Sequence, residues 1–387
     1  MSKDLPFLNA EYIIDGIRMD TTPGAMLSAA CGQPCPPQGG GSVIDESSEP
    51  TRSTGQVDPA RLDQYATDVA AALRKERLMP EGYPESYTRM RIAAALLDTL
   101  WMKGHFRIGD LTLRPSWKWD AGQLGNMAAF YRSVETAVEY TEGLGVQIDR
   151  YSVQSREKGC LLTVETSLHH AHEDTEGVFS EEEDGPVLIK ELPFRTTGSR
   201  LSRRRQCPAH MSGQETNWII FIPFDTCSFR LGGSVLAETT GLHLGKASDM
   251  ADPDYFVDCF EVVRELVEDG IVLSGITVAD GGLMTALRRM TTLSCGLAAD
   301  IGAVLKSYGT DDPAEVLLGE VPGALIEISD SDYDYLDAEL LLQDVAFYPL
   351  GHPSRKVKGV RISSSDVSGI SLILQALLNS QASEGED

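Results

Sequence analysis

The chain has 387 residues, 42% hydrophobic and 24% charged, a globular composition with material for about two cores. Its 58 acidic side chains against 33 basic ones leave a formal net charge of -25. Such a surface repels phosphate backbones and anionic lipid, so neither nucleic acid nor membrane is expected as a partner. No apolar run nears the roughly 18–20 residues that span a bilayer, and the opening MSKDLPFLNAEY lacks a signal-peptide core. Seven cysteines, an odd number, argue for free thiols in a reducing compartment over a disulfide framework.

Residues 22–60 are rich in Pro, Gly, Ser and Thr and are expected to be a linker within a leader covering 1–84. Cys31 and Cys35 lie in it with no second pair or nearby histidine, so zinc is not expected there. DPARLDQYATDVAAALRKERL, 58–78, has helical spacing and a cap candidate in Asp58. A second helix is predicted from Tyr87 to Met102, with Met90, Ala94, Leu97 and Trp101 on one face.

The alternation in IGDLTLRPSWKW, 108–119, predicts a strand, and 124–145 predicts an amphipathic helix closed by Gly143 and Gly145. Cys160 to Leu168 reads as another strand. A polar insertion, 169–215, follows. Beyond it, NWIIFIPF and the run after Gly270 read as buried strands. They bracket a helix whose Phe256, Phe260, Val263 and Val267 form a core stripe behind Asp252 and Pro253. DPAEVLLGEVPGALIEIS predicts a helix, a turn and a strand, SDYDYLDAELLLQD a helix, and the end of the chain a helix with an acidic tail, 371–387. Strands alternating with helices argue for an α/β or α+β layered fold.

His169, His170 and His172 could share a metal ion, but no carboxylate or cysteine is spaced to complete the shell, and a solvated loop is the simpler reading. Arg200, Arg203, Arg204 and Arg205 form a basic island that either neutralises the acidic run Glu181–Asp184 or meets an acidic partner. Neither a Gly-x4-Gly-Lys phosphate loop nor a Gly-x-Ser-x-Gly elbow is present.

Three glycine-bearing pieces remain, in order: FRLGGSVLAETTGLHLG, ITVADGGLMTALRRM and LLGEVPGALIEI. A double glycine entering a helix can present amides to phosphate, or it can be a close-packed turn. As a set, these pieces resemble the second synthetase half of phosphoribosylformylglycinamidine synthase, the FGAR amidotransferase family. The resemblance covers about 85–375. RLGGSVLAE is similar to the family's Arg-Leu-Gly-Gly-Ser-Ala-Leu-Ala-Gln, ADGGLMTALRRM to its Ser-Asp-Gly-Gly-Leu helix, and LLGEVPG to its Phe-Gly-Glu-Glu-Pro-Gly. Upstream, the stretch ending in WKWDAGQLGNMAAFYRSV is similar to its Asn-Trp-Met-Trp strand and following helix.

The resemblance implies an AIR-synthase-like two-part α/β (α+β) fold, with a sheet-and-helix half at 85–215 and an α+β half at 216–370. It also implies an ATP site with magnesium, involving Gly232, Gly233, Ser234, Asp280, Gly281 and Gly282, with Glu320 a metal ligand if the site is active. The departures strike the chemical positions. Where the family has His-Asp ahead of its turn, this chain has Ile276 and Thr277; Ala279 replaces the turn's serine, Val321 its second glutamate, and QIDRYSVQSREKG lacks the Lys-Asp pair. A branched apolar side chain offers no oxygen to a hard cation. The glycines keep the backbone while the ligands are gone.

The departures resemble the degenerate large tegument proteins of gammaherpesviruses. That likeness implies a catalytically degenerate, protein-binding or structural module that counters host nuclear-body defence, found in the virion tegument and host nucleus. Its partners would be host nuclear or virion proteins, with no cofactor. The alternative is a cytoplasmic ATP-dependent synthase subunit of purine biosynthesis, using ATP or ADP with Mg2+. Either form is expected to dimerise or to pair with another AIR-synthase-like half.

Overall fold

The computed structural model describes residues 5–34, 42–47, 55–168 and 204–364. Strand β1 (Glu11–Ile14) pairs antiparallel with β2 (Ile17–Arg18). Helix α1 (Pro23–Ala30) then leads to β3 (Val43–Glu46), which lies parallel to β1. The reading of 22–60 as linker is therefore corrected in part. Thr22 caps α1 by accepting from the Ala25 amide at 3.2 Å, Pro23 presets the first turn, and Leu27 is buried. The Glu46 carboxylate in turn accepts the Met127 and Ala128 amides at 3.0 and 3.1 Å. A Pro/Gly-rich composition hid one cap and one buried leucine.

Helix α2 (Leu62–Ala72) follows a 3-10 turn, Pro59–Arg61, that Asp58 caps. It ends six residues short of the predicted 78, and residues 73–83 run on as a non-helical strap. Helix α3 (Pro84–Leu97) tightens into a 3-10 turn, Asp98–Trp101. Strand β4 (Leu111–Trp119), α4 (Asn126–Gly143), β5 (Gln147–Ile148), β6 (Ser152–Ser155) and β7 (Leu161–Leu168) complete the first sheet. There β4 runs parallel to β5 and β6 along one edge and antiparallel to β7 along the other.

The second part comprises β8 (Trp218–Pro223), α5 (Val235–Thr240), α6 (Pro253–Glu268), β9 (Val272–Val278), α7 (Gly282–Met290), β10 (Gly296–Asp300), α8 (Gly302–Tyr308), α9 (Pro313–Leu318), β11 (Gly323–Ile328), α10 (Tyr333–Leu342), β12 (Tyr348–Gly351), β13 (Pro353–Ser354) and β14 (Val360–Ser363). Its main sheet has the order β12-β8-β11-β9, all antiparallel, and a smaller sheet has the order β13-β10-β14. The unbroken apolar run of β8 follows from a sheet covered on both faces. Ile220 and Ile222 point into one core with α6; Ile219 and Phe221 point into the other with α7 and α9.

The first core does not respect a division at 215/216. It joins Phe7, Tyr12, Leu27 and Met79 of the supposed leader to α3, α4 and α6. Among the described residues, no helix is long and apolar enough to cross a membrane. The histidine cluster, the acidic run, Arg200, Arg203 and the predicted helix and tail at 371–387 lie outside the described residues.

Candidate functional site

Strand β9 ends in a turn that re-enters as α7. Gly281 (φ +78°) and Gly282 (φ +66°) take left-handed conformations, which glycine adopts freely. A Cβ on Gly282 would also lie 2.7 Å from the Leu317 carbonyl oxygen. The turn thus presses onto the end of α9. Ile276 is a buried member of the second core. The Thr277 hydroxyl accepts from Trp101 Nε1 at 2.8 Å and donates to Asp98 at 2.7 Å. Trp101 can lie there because Gly275 has no side chain for its ring to strike.

What faces the turn is an arginine. Arg77, on the strap, donates from Nη1 to Asp280 Oδ1. Its Nη2 donates to Glu320 Oε2 at 2.6 Å and to the Gly233 carbonyl at 2.9 Å. Arg91 on α3 binds the other Asp280 oxygen at 2.6 Å. The second oxygen of Glu320 accepts the Gly281 and Val235 amides at 2.7 and 3.0 Å. The strap is fixed by the Met79 amide donating to the Cys160 carbonyl at 2.7 Å and by the buried Met79 side chain. The Arg77 guanidinium also stands over the Tyr87 ring, 5.5 Å from its centroid.

Burial would push the Asp280 carboxyl up, but Arg77 and Arg91 outweigh it and hold it below its ordinary value. Burial pushes Glu320 up, opposed by Arg77 and by the two amide hydrogen bonds. The gap beside Arg77, walled by Tyr87, Arg91, Asp280 and Glu320, measures about 10 Å3. That is at the limit for a single water. A magnesium ion needs about six oxygens near 2.1 Å. Here Asp280 and Glu320 already hold a guanidinium, and Ile276 and Val321 supply no oxygen. These residues do not fit a magnesium–phosphate group.

The other expected site residues serve the backbone. The Gly232 amide donates to the Lys246 carbonyl at 2.9 Å, and a side chain there would strike residues 245–246. A Cβ on Gly233 would lie 2.9 Å from the Tyr83 ring. Ser234 caps α5, accepting from the Ala237 amide at 3.3 Å and donating to the Leu231 carbonyl at 2.6 Å. The structure therefore gathers Gly233, Asp280, Gly281 and Glu320 around Arg77, with Gly232 and Ser234 packed behind. Sequence reasoning missed Arg77 and Arg91, whose partner Asp280 is 203 and 189 residues away. Of the basic island, Arg205 is structural: it donates to the Gly275 carbonyl at 2.6 Å and to that of Cys207 at 2.9 Å. Among the described residues, no three His, Cys, Asp or Glu side chains are grouped to hold a metal ion.

On the far side of Asp280 a cavity of about 560 Å3 opens between α3, α7 and the end of α2. Thr277, Asp98 and Asp280 line it together with Arg74, Arg91 and Arg289.

No family model matches the chain. It is 30% identical over 276 residues to phosphoribosylformylglycinamidine synthase of Homo sapiens, covering 68% of this chain and 18% of that protein. It is 24% identical over 304 residues to the probable chloroplastic/mitochondrial phosphoribosylformylglycinamidine synthase of Arabidopsis thaliana, covering 76% of this chain and 20% of that protein. The chain thus spans about a fifth of the length of the curated relatives it matches. Its fold is similar to that of Thermotoga maritima PurL complexed with FGAR, with a TM-score of 0.52, 12% identity, and coverage of 82% of this chain and 52% of that one. The chain is phosphoribosylformylglycinamidine synthase-like and has the AIR-synthase-like α/β fold.

Proposed function

We propose that this member of the phosphoribosylformylglycinamidine synthase-like family is a non-catalytic module whose metal–nucleotide site is closed by its own arginine, and that it acts by binding protein. The observation that carries the reading is Arg77, whose guanidinium takes up Asp280, Glu320 and the Gly233 carbonyl together. Phosphoryl transfer gains its rate from cations and donors placed against the moving charge. Here the carboxylates that would hold the cation neutralise a side chain instead. The viral tegument assignment, with its nuclear and virion partners, rests on the sequence departures alone.

A second reading is an ATP-dependent subunit that activates the formylglycinamide amide for ammonia delivered by a separate glutaminase. The identity to two named synthases weighs for it. In that reading the strap must withdraw before Asp280 and Glu320 can take a cation. Calorimetric titration with ATP and magnesium separates the two. No magnesium-dependent heat is expected. Micromolar, magnesium-dependent binding, with ammonia-dependent turnover of formylglycinamide ribonucleotide, would establish the second reading and remove the first.

A further inference from the structure

We infer that the outward face of α10 docks a basic amphipathic helix of a protein partner. Two sides of α10 are apolar. Leu336 and Leu340 are buried in the first core, which also holds the stripe of α6. On the opposite side helical spacing aligns Tyr335, Ala338 and Leu342, with Leu341 one step round, and all four are exposed. Leu341 and Leu342 leave 75% and 77% of their surface open. One exposed leucine is ordinary. Several apolar side chains on one helix face, rimmed by charge, mark a docking surface.

The rim is acidic. Spacing puts Glu339 on one flank of the stripe and Asp334 and Asp337 on the other. Glu265 and Asp269 extend the first flank, because α6 lies antiparallel beside α10. Just past α10, the Ala346 amide donates to the Tyr255 hydroxyl, near the start of α6, at 3.0 Å. At the other end, the Tyr335 phenol is pushed above its ordinary value, first by the charge of Glu339 and also by Asp269 and Glu265. Little on these helices offsets that charge. Between Lys306 and Arg355 the sequence has no Lys or Arg. The one arginine of α6, Arg264, is buried and pairs with Glu261, Glu265 and Glu268. Asp334 and Asp337 are exposed and have no ion-pair partner among the described residues. A second copy of this chain would bring the same acids to the face and be repelled. The chain's own residues 365–387 contain no Lys or Arg either. A partner helix with apolar side chains at i, i+4 and i+7 and Lys or Arg beside them matches both the stripe and its rim. The inference gives the protein-binding part of the proposed function a class of partner and rests on that reading for its use, but the surface shares no residue with the Arg77 site.

The probe is a labelled synthetic leucine–lysine peptide of about 18 residues whose leucines recur at helical spacing. It is titrated with the full chain in about 0.15 M salt and followed by fluorescence anisotropy. Saturable one-to-one binding in the micromolar range is expected, with a scrambled peptide of the same composition weaker by about tenfold or more. The double variant Leu341→Gln, Leu342→Gln should weaken the helical peptide about tenfold, with a melting temperature near that of the parent because both side chains are exposed. Asp334→Asn with Asp337→Asn should weaken it about threefold or more and flatten its salt dependence. Glu157→Gln with Glu238→Gln, which removes the same charge from exposed positions elsewhere, should change nothing. No binding at about 0.1 mM chain would overturn the inference, as would equal binding of the scrambled peptide or indifference to the leucine pair. A dimer of the parent that the leucine pair dissolves would make a second copy the occupant, and capture by neutral-lipid vesicles lost in that variant would make it a membrane; either result also overturns it. Magnesium-dependent ATP binding, with peptide binding intact, would count against the proposed function alone.

Discussion

Two carboxylates buried at either end of β11 show opposite solutions to one problem. Glu327, inside the strand, is fully buried and takes only neutral donors: the Ser212 amide and hydroxyl at 2.7 and 2.6 Å, Asn217 Nδ2 at 2.8 Å and the Ser274 hydroxyl at 2.9 Å. Glu320, just ahead of the strand, takes two amides and a full guanidinium. Neutral donors alone can satisfy the acceptors of a buried carboxyl group. A cation beside Glu320 is therefore not needed to satisfy that one side chain. It is needed because Asp280 lies on the other side of Arg77, and two carboxylates facing one another require positive charge between them. Glu327 ties residues 212–217 to the sheet; Glu320, with Asp280, holds the Arg77 guanidinium.

The sharpest way to break the contrast is Arg77→Met. It leaves Glu320 with its two amides but no cation and Asp280 with Arg91 only, so a loss of about 3–5 kcal/mol is expected in urea unfolding. Glu327→Gln should cost less, about 1–3 kcal/mol by the same measurement, because an amide replaces half the acceptor capacity without stranding a charge. If the two losses come out in the reverse order, Arg77 is a surface-like pair and the contrast fails.

Much of the fold was legible before the structure. The stripe of Phe256, Phe260, Val263 and Val267 lies buried on α6, and the β9–turn–α7 unit stands where its glycines placed it. Periodicity and turn chemistry are local signals, and these elements are local. The closure of the site is not. Arg77 falls in RKERLMP, which reads as the frayed end of a helix, and its partners are 203 and 243 residues downstream. No spacing rule joins such positions. Thr277 was read as a lost ligand; that its hydroxyl bridges Trp101 and Asp98 depends on Gly275 making room for an indole.

Thr277→Val tests that bridge. It leaves the buried Trp101 N–H without an acceptor, and about 1–2 kcal/mol of destabilisation is expected from the thermal midpoint. The smallest effect concerns acid. The Asp280 carboxyl is held below its ordinary value, so the stability it contributes is present above about pH 4 and is lost as pH falls through its lower folded value. The stability gap between the parent and Asp280→Asn should therefore narrow below about pH 4, read from urea midpoints across that range. A gap that widens in acid would mean that the arginines do not hold Asp280 ionised.

In the proposed function, the Arg77 guanidinium takes the place between Asp280 and Glu320 that a divalent cation would need. Titration with Mn2+ in the presence of ATP, followed by electron paramagnetic resonance, addresses it directly. The parent chain is expected to leave the free-ion signal unchanged by any protein-bound species, while Arg77→Ala gains a bound signal that Asp280→Asn removes. A bound Mn2+ signal in the parent chain, lost on Asp280→Asn, would contradict the account.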